Sequence, residues 1–121
     1  MTDLQKYGAE LTGPSEADFM GQVTQLAEML GWAWVHFRPA QTTRGWRTPV
    51  SGPLGKGWPD LVLVRARDRR LIFAELKTDK AKPTRAQENV MAILNSLTMT
   101  GTLGVYLWKP KDWDSIVEVL R

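Results

Sequence analysis

Apolar positions along this chain change their period several times, and each change marks an element. Phe19, Val23, Leu26, Ala27 and Leu30 follow the spacing of one helix face. Ser15-Glu16-Ala17-Asp18 ahead of them has the form of a capping box, and Gly31 supplies the stop. Trp32 to Phe37 reads as a first strand. Leu61 to Val64 and Leu71 to Lys77 read as a second and third, because both runs are largely aliphatic and contain neither Gly nor Pro. The basic turn Arg67-Asp68-Arg69-Arg70 joins these two as a hairpin. Pro83 precedes a helix expected from Thr84 to Met99, with Ala86, Val90, Ile93, Leu94 and Leu97 as its apolar face and Gly101 as its end. Leu103 to Trp108 is a fourth strand. Asp112 to Leu120 is a last helix, with Trp113, Ile116, Val117 and Leu120 inward. By spacing, the tryptophans belong mostly to the core.

The order is helix, three strands, helix, strand, helix. A helix between the third and fourth strands suits a parallel crossover, and the earlier, closely linked strands pair antiparallel. The expected fold class is therefore α/β, a mixed four-stranded sheet flanked by helices. Residues 1–14 read as a flexible, polar N-terminal tail and 15–121 as a single domain. Residues 39–57 hold three prolines and four glycines. Structureless loops rarely exceed about 12–15 residues, so this one is expected to be functional or mobile.

Composition narrows the chemistry. Hydrophobic content of 43% and charged content of 24% are ordinary for a soluble domain, so composition by itself selects no special class. No apolar run approaches the roughly 20 residues of a membrane helix, and Met1-Thr2-Asp3-Leu4-Gln5-Lys6 has no signal-peptide core. The cytosol is the expected compartment. Without cysteine there are no thiolate zinc sites or disulfides, and the single histidine leaves hard-cation, oxygen-ligand chemistry as the metal option. A net charge of +3 and a pI near 9.4 favour a polyanionic partner, weakly.

The candidate chemistry lies on the second and third strands. Asp60 opens the aliphatic run Leu61-Val62-Leu63-Val64, and Glu75 and Lys77 close Leu71-Ile72-Phe73-Ala74-Glu75-Leu76-Lys77. Strand alternation puts Phe73, Glu75 and Lys77 on one face and Ile72, Ala74 and Leu76 on the other. Counting outward from the turn brings Asp60 level with Glu75 or its neighbours. Charges among aliphatic residues are costly unless paired or metal-bound, and two facing carboxylates repel until a divalent cation joins them. A Glu-x-Lys triplet alone is common. The information lies in Gly57-Trp58-Pro59-Asp60, then a strand, a turn, and a strand ending in Glu75-Leu76-Lys77.

This arrangement resembles the PD-(D/E)XK nuclease superfamily, and within it the small phage and bacterial VRR-NUC proteins. The resemblance spans roughly residues 15–115. It implies a restriction-endonuclease-like αβββαβ core and a metal-dependent DNA endonuclease acting on structured substrates in repair or recombination. Asp60 and Glu75, with the Leu76 backbone carbonyl, would hold Mg²⁺ or Mn²⁺. Lys77 would orient the attacking water and stabilise phosphate charge. The products would carry a 5′-phosphate and a 3′-hydroxyl. Family members also carry a Glu near the start of the first helix, matched here by Glu16, and a Gln on the helix after the acid-x-lysine strand, matched by Gln87. Glu16 could equally be a plain helix-start acid, and Gln87 an exposed helix residue. His36, in the first strand, is a lesser candidate, since a lone strand histidine is more often structural.

Basic residues flank the proposed site. Arg44, Arg47 and Lys56 lie in the 39–57 loop, and Lys80, Lys82 and Arg85 follow Lys77, which suits phosphate contacts. Trp46 either stacks on an unpaired base or folds back on the core. Arg65, Arg67, Arg69 and Arg70 are either a solvated turn or a hold on a distant DNA arm. No helix carries a run suited to reading bases, so recognition by shape and backbone is expected. Cutting both strands of a junction needs two sites, which implies a C2 homodimer. Two other classes stand beside the nuclease: a non-catalytic nucleic-acid-binding module of the same fold, and a structural subunit whose acids make internal salt bridges.

Overall fold

In the computed structural model, residues 13–38, 40–43, 45–47 and 50–121 are described, with the backbone alone for 40–42, 46 and 47. Helix α1 (Glu16–Met29) begins where Ser15 Oγ accepts the Asp18 N–H at 3.0 Å. Strands β1 (Ala33–His36), β4 (Leu61–Arg65), β5 (Arg70–Leu76) and β6 (Leu103–Trp108) form one sheet in the order β1-β4-β5-β6. The first two pairings are antiparallel and β5–β6 is parallel, with α2 (Arg85–Asn95) as the crossover. Helix α3 (Trp113–Leu120) follows β6. This is the mixed four-stranded sheet flanked by helices that the spacing anticipates.

Alternation decides which side of the sheet is dry. Leu61 and Leu63 of β4 and Ile72, Ala74 and Leu76 of β5 are buried in one cluster with Phe19, Val23 and Ala27 of α1 and Ile116 and Leu120 of α3. Tyr106 and Trp108 of β6 share that face and stack with ring centroids 5.3 Å apart. The opposite face receives α2, which packs through buried Val90 and Leu94 and contacts β6 and a 3₁₀ turn at Gly55–Gly57.

Three expectations are corrected. The 39–57 segment contains a two-stranded antiparallel sheet, β2 (Ala40–Thr42) with β3 (Gly45–Arg47), before the Gly55–Gly57 turn. Helix α2 ends at Asn95 rather than Met99, so Leu97 lies beyond it, and Leu97 and Ile93 are 61% and 49% exposed. Among the described residues, the contacts of α2 with β6 and the Gly55–Gly57 turn run through Val90 and Leu94 and leave Ile93 outside them. Trp34 is also exposed, because β1 is an edge strand, and its Nε1 donates to Glu28 at 3.0 Å. Among the described residues no helix is long and apolar enough to cross a membrane.

Of the four arginines at the hairpin, Arg65 and Arg70 are bound into the fold rather than simply solvated, while Arg67 and Arg69 are exposed. Arg65 is 4% exposed, and all five of its N–H groups find acceptors. Nη1 donates to the carbonyls of Leu30 and Leu120, at 2.9 and 3.0 Å, and Nη2 to that of Arg121 at 2.6 Å. Nε and the second Nη2 hydrogen reach the two carboxylate oxygens of Asp68, at 3.0 and 2.9 Å. The guanidinium lies 4.6 Å from the Trp32 ring centroid, and that of Arg70, which donates to Val119 O at 2.7 Å, lies 5.0 Å away. The last carbonyls of α1 and α3 lack intrahelical donors, and the arginines supply them. Arg65→Ala is therefore expected to lower unfolding stability by about 3–5 kcal/mol, with Arg65→Lys in between because the ammonium lacks the planar fork. Urea denaturation checks this, and an unchanged midpoint in Arg65→Ala would overturn the role.

Candidate functional site

Register brings the acids together. Leu61 stands opposite Ala74, so one step further Asp60 stands opposite Glu75. The pair is locked reciprocally: the Asp60 N–H donates to Glu75 Oε2 at 3.2 Å, and the Leu76 N–H donates to Asp60 Oδ1 at 3.3 Å. On its other side the Asp60 carbonyl accepts the Phe37 N–H at 2.8 Å, which ties the end of β1 to the same point.

The segment ahead of Asp60 is clamped. Pro59 is fully buried, and Trp58 meets Phe73 edge-on with centroids 5.3 Å apart. Gly57 lies against the first turn of α2 so closely that a Cβ there would sit 2.2 Å from Ala86 O and 2.8 Å from Gln87 N. Only glycine permits that approach. The contact fixes α2 relative to β4 and so carries Gln87 to Glu75.

Gln87 has two duties. Its Oε1 accepts the Thr84 N–H at 2.8 Å while Thr84 Oγ1 accepts the Gln87 N–H at 3.1 Å, a complete capping box. Its Nε2 donates to Glu75 Oε1 at 2.9 Å. The two partners orient the amide, since one is a donor and the other an acceptor. Lys77 Nζ lies 3.5 Å from the same Glu75 oxygen. Glu16, first residue of α1, is exposed, yet Glu16, Asp60 and Glu75 each offer an oxygen within 4.8 Å of the others. Three hard oxygen donors at this spacing could hold a divalent cation.

These groups line one side of a cleft of about 1040 Å³, whose other walls include His36, Phe37, Lys56 and Trp58. Burial first, and then the neighbouring Glu75, push the Asp60 carboxyl from 3.8 up to about 7, against the opposing pull of the Leu76 N–H and Lys77. Burial also raises Glu75, while Lys77 and the Asp60 N–H hold it down. His36 is lowered by burial and then by Arg38, which makes it neutral at pH 7. Among the described residues its Nδ1 is a buried polar atom with no hydrogen-bond partner.

The structure thus brings Glu16, His36, Lys56, Asp60, Glu75, Lys77 and Gln87 to one cleft. Lys80, Lys82 and Arg85 are exposed outside it. Arg44 lies outside the described residues, as do the side chains of Trp46 and Arg47. The Leu76 N–H is what bonds to Asp60 here. Sequence reasoning missed the aromatic wall of Phe37 and Trp58 and the clamp at Gly57. The Gly57-Trp58-Pro59-Asp60 run was the available signal, because a glycine three residues before a strand-opening acid marks a close backbone approach.

A carboxyl whose folded pKa exceeds its unfolded one keeps its proton in the fold after the unfolded chain has released it. Its contribution to stability is fully present below about 3.8, falls as pH rises towards about 7, and is constant above. Asp60→Asn is expected to flatten that decline and to raise the urea midpoint at about pH 8 relative to the parent. Parallel denaturation series from acid to alkaline pH check this, and an undiminished decline in the variant would contradict it. Searched against family models, curated proteins and solved structures, the chain finds no match.

Proposed function

We propose that this protein is a metal-dependent, structure-selective DNA endonuclease of the PD-(D/E)XK superfamily, of VRR-NUC type. The observation that carries the reading is the meeting of Asp60, Glu75, Lys77, Glu16 and Gln87 in a single cleft from four separate elements. The order α1, β1, β4, β5, α2, β6 also accords with an αβββαβ core, into which the β2–β3 sheet is inserted. An internal salt-bridge role for the acids accounts less well for Asp60, which burial and its neighbours leave without a compensating cation of its own.

In this reading Asp60 and Glu75, with the Leu76 carbonyl, would hold Mg²⁺ or Mn²⁺, with Glu16 within reach of the ion or its water shell, and the fit rests on the oxygen-only donor set. The bound ion supplies Lewis acidity and lowers the pKa of a water. Lys77 presents its ammonium beside Glu75, where it orients the nucleophile and stabilises charge growing on the phosphate oxygens. Gln87 restrains Glu75, so that this carboxylate keeps one geometry. The Leu76 N–H does the same for Asp60. The reaction is hydrolysis of a phosphodiester to a 5′-phosphate and a 3′-hydroxyl. Lys56 at the cleft wall offers a backbone phosphate contact.

The test is cleavage of a labelled four-way junction beside flap, fork, linear and single-stranded DNA, with Mg²⁺, with Mn²⁺ and with EDTA. Metal-dependent nicks concentrated on branched DNA are expected, and binding without cleavage under either metal would sink the reading. Lys77→Ala should lose at least about a hundredfold in cleavage while still binding DNA. An active Lys77→Ala protein would remove Lys77 from the chemistry. Paired cuts across a junction require two sites, so we also propose a C2 homodimer. Sedimentation of the junction complex should show two chains, and a single chain would count against it.

A further inference from the structure

We infer that an apolar pocket opening from the cleft receives one unpaired nucleobase adjoining the scissile phosphate, which makes a locally unpaired nucleotide the unit of recognition. The inference rests on the nuclease reading and deepens it. The pocket, about 400 Å³, is lined by Phe37, Val50, Pro53, Leu54 and Trp58 with small residues between them. Phe37, Val50 and Trp58 also line the acid-bearing cleft, so pocket and cleft are one continuous depression with two chemistries.

The partition of charge matches a nucleotide. Among the described residues every charged side chain of the depression, Glu16, Lys56, Asp60, Glu75 and Lys77, lies on the cleft side, and the pocket wall carries none. A phosphate entering the pocket would lose its hydration without a counterion. A base offers a flat apolar face for Phe37 or Trp58 and a polar edge for Ser51 or the backbone beside Gly52 and Gly55. Its own phosphate is then left in the cleft with the lysines.

The pocket is also rigidly indexed to the acids. Trp58 is two residues before Asp60 and braced against Phe73, and the Phe37 N–H is bonded to the Asp60 carbonyl. A base held between these rings therefore sets the position of its phosphate relative to Asp60 and Glu75. In a continuous duplex the base is stacked and paired, and extracting it costs free energy that an unpaired nucleotide does not pay. Selectivity for flaps and forks, whose arms carry unpaired nucleotides, over linear duplex follows from the pocket itself, with no reading of sequence.

The experiment uses the full chain and a flap DNA carrying 2-aminopurine at successive unpaired positions, titrated in EDTA. A matching set carries an abasic site at each position. One position is expected to show strong fluorescence quenching. An abasic site there should weaken binding about tenfold or more, and reduce cleavage with Mg²⁺ or Mn²⁺ alike. Phe37→Leu should bind the intact and abasic flaps nearly equally. If metal-dependent cleavage occurs but no position is quenched and abasic sites cost nothing, the base pocket is wrong and the nuclease reading stands. Quenching without cleavage supports the pocket and sinks the nuclease. No binding to any of the DNAs overturns both.

Discussion

The constraint on which the site depends is the pairing register of β4 and β5. It sets Asp60 against Glu75 and spends one backbone N–H from each strand on the other strand's carboxylate. Side chains alternate with a period of two, so a slip of one residue would turn one strand's acid to the packed face and bring that strand's core aliphatics out. The buried rows Leu61–Leu63 and Ile72–Ala74–Leu76 forbid that slip. The hydrophobic core thus shapes the candidate site directly, because it is the reason the carboxylates face each other.

Strand β4 carries a buried ionic centre at each end, and the two are built differently. Arg65 is answered at every N–H by helix-end carbonyls and Asp68, with Trp32 beneath it. That is the behaviour of a structural group whose desolvation is offset. At the other end three carboxylates converge on one lysine and two backbone amides. Burial first, and then the excess of negative charge there, raise Asp60, and burial raises Glu75. An incompletely compensated buried charge is a mark of a functional site. The same physical accounting therefore distinguishes the arginine-rich end, where the charge is answered, from the acid-rich end, which is the candidate site.

Coupling between the site and its surroundings runs through short, stiff contacts. Gly57 against Ala86 places the α2 N-terminus, the capping box of Thr84 and Gln87 fixes the amide, and that amide restrains Glu75. The aromatic side pocket is attached to the same points through Trp58 and Phe37. Acid floor and apolar wall therefore behave as one depression.

By itself the sequence determined the elements with strong local signals. Ser15 and Pro83 announced helix starts, the aliphatic runs announced β4, β5 and β6, and alternation put Glu75 and Lys77 on one face, because caps and periodicities are properties of neighbouring residues. Asp60 level with Glu75 was also legible, since a short hairpin leaves little freedom of register. Tertiary structure decided the rest. Only packing shows that β1 is an edge strand exposing Trp34, that Ile93 of α2 and Leu97 beyond it stay exposed, and that Arg65 serves carbonyls more than thirty residues away in chain order. The second duty of Gln87 and the aromatic pocket belong here too. These depend on which distant surfaces meet, and no local pattern of residue types encodes such meetings.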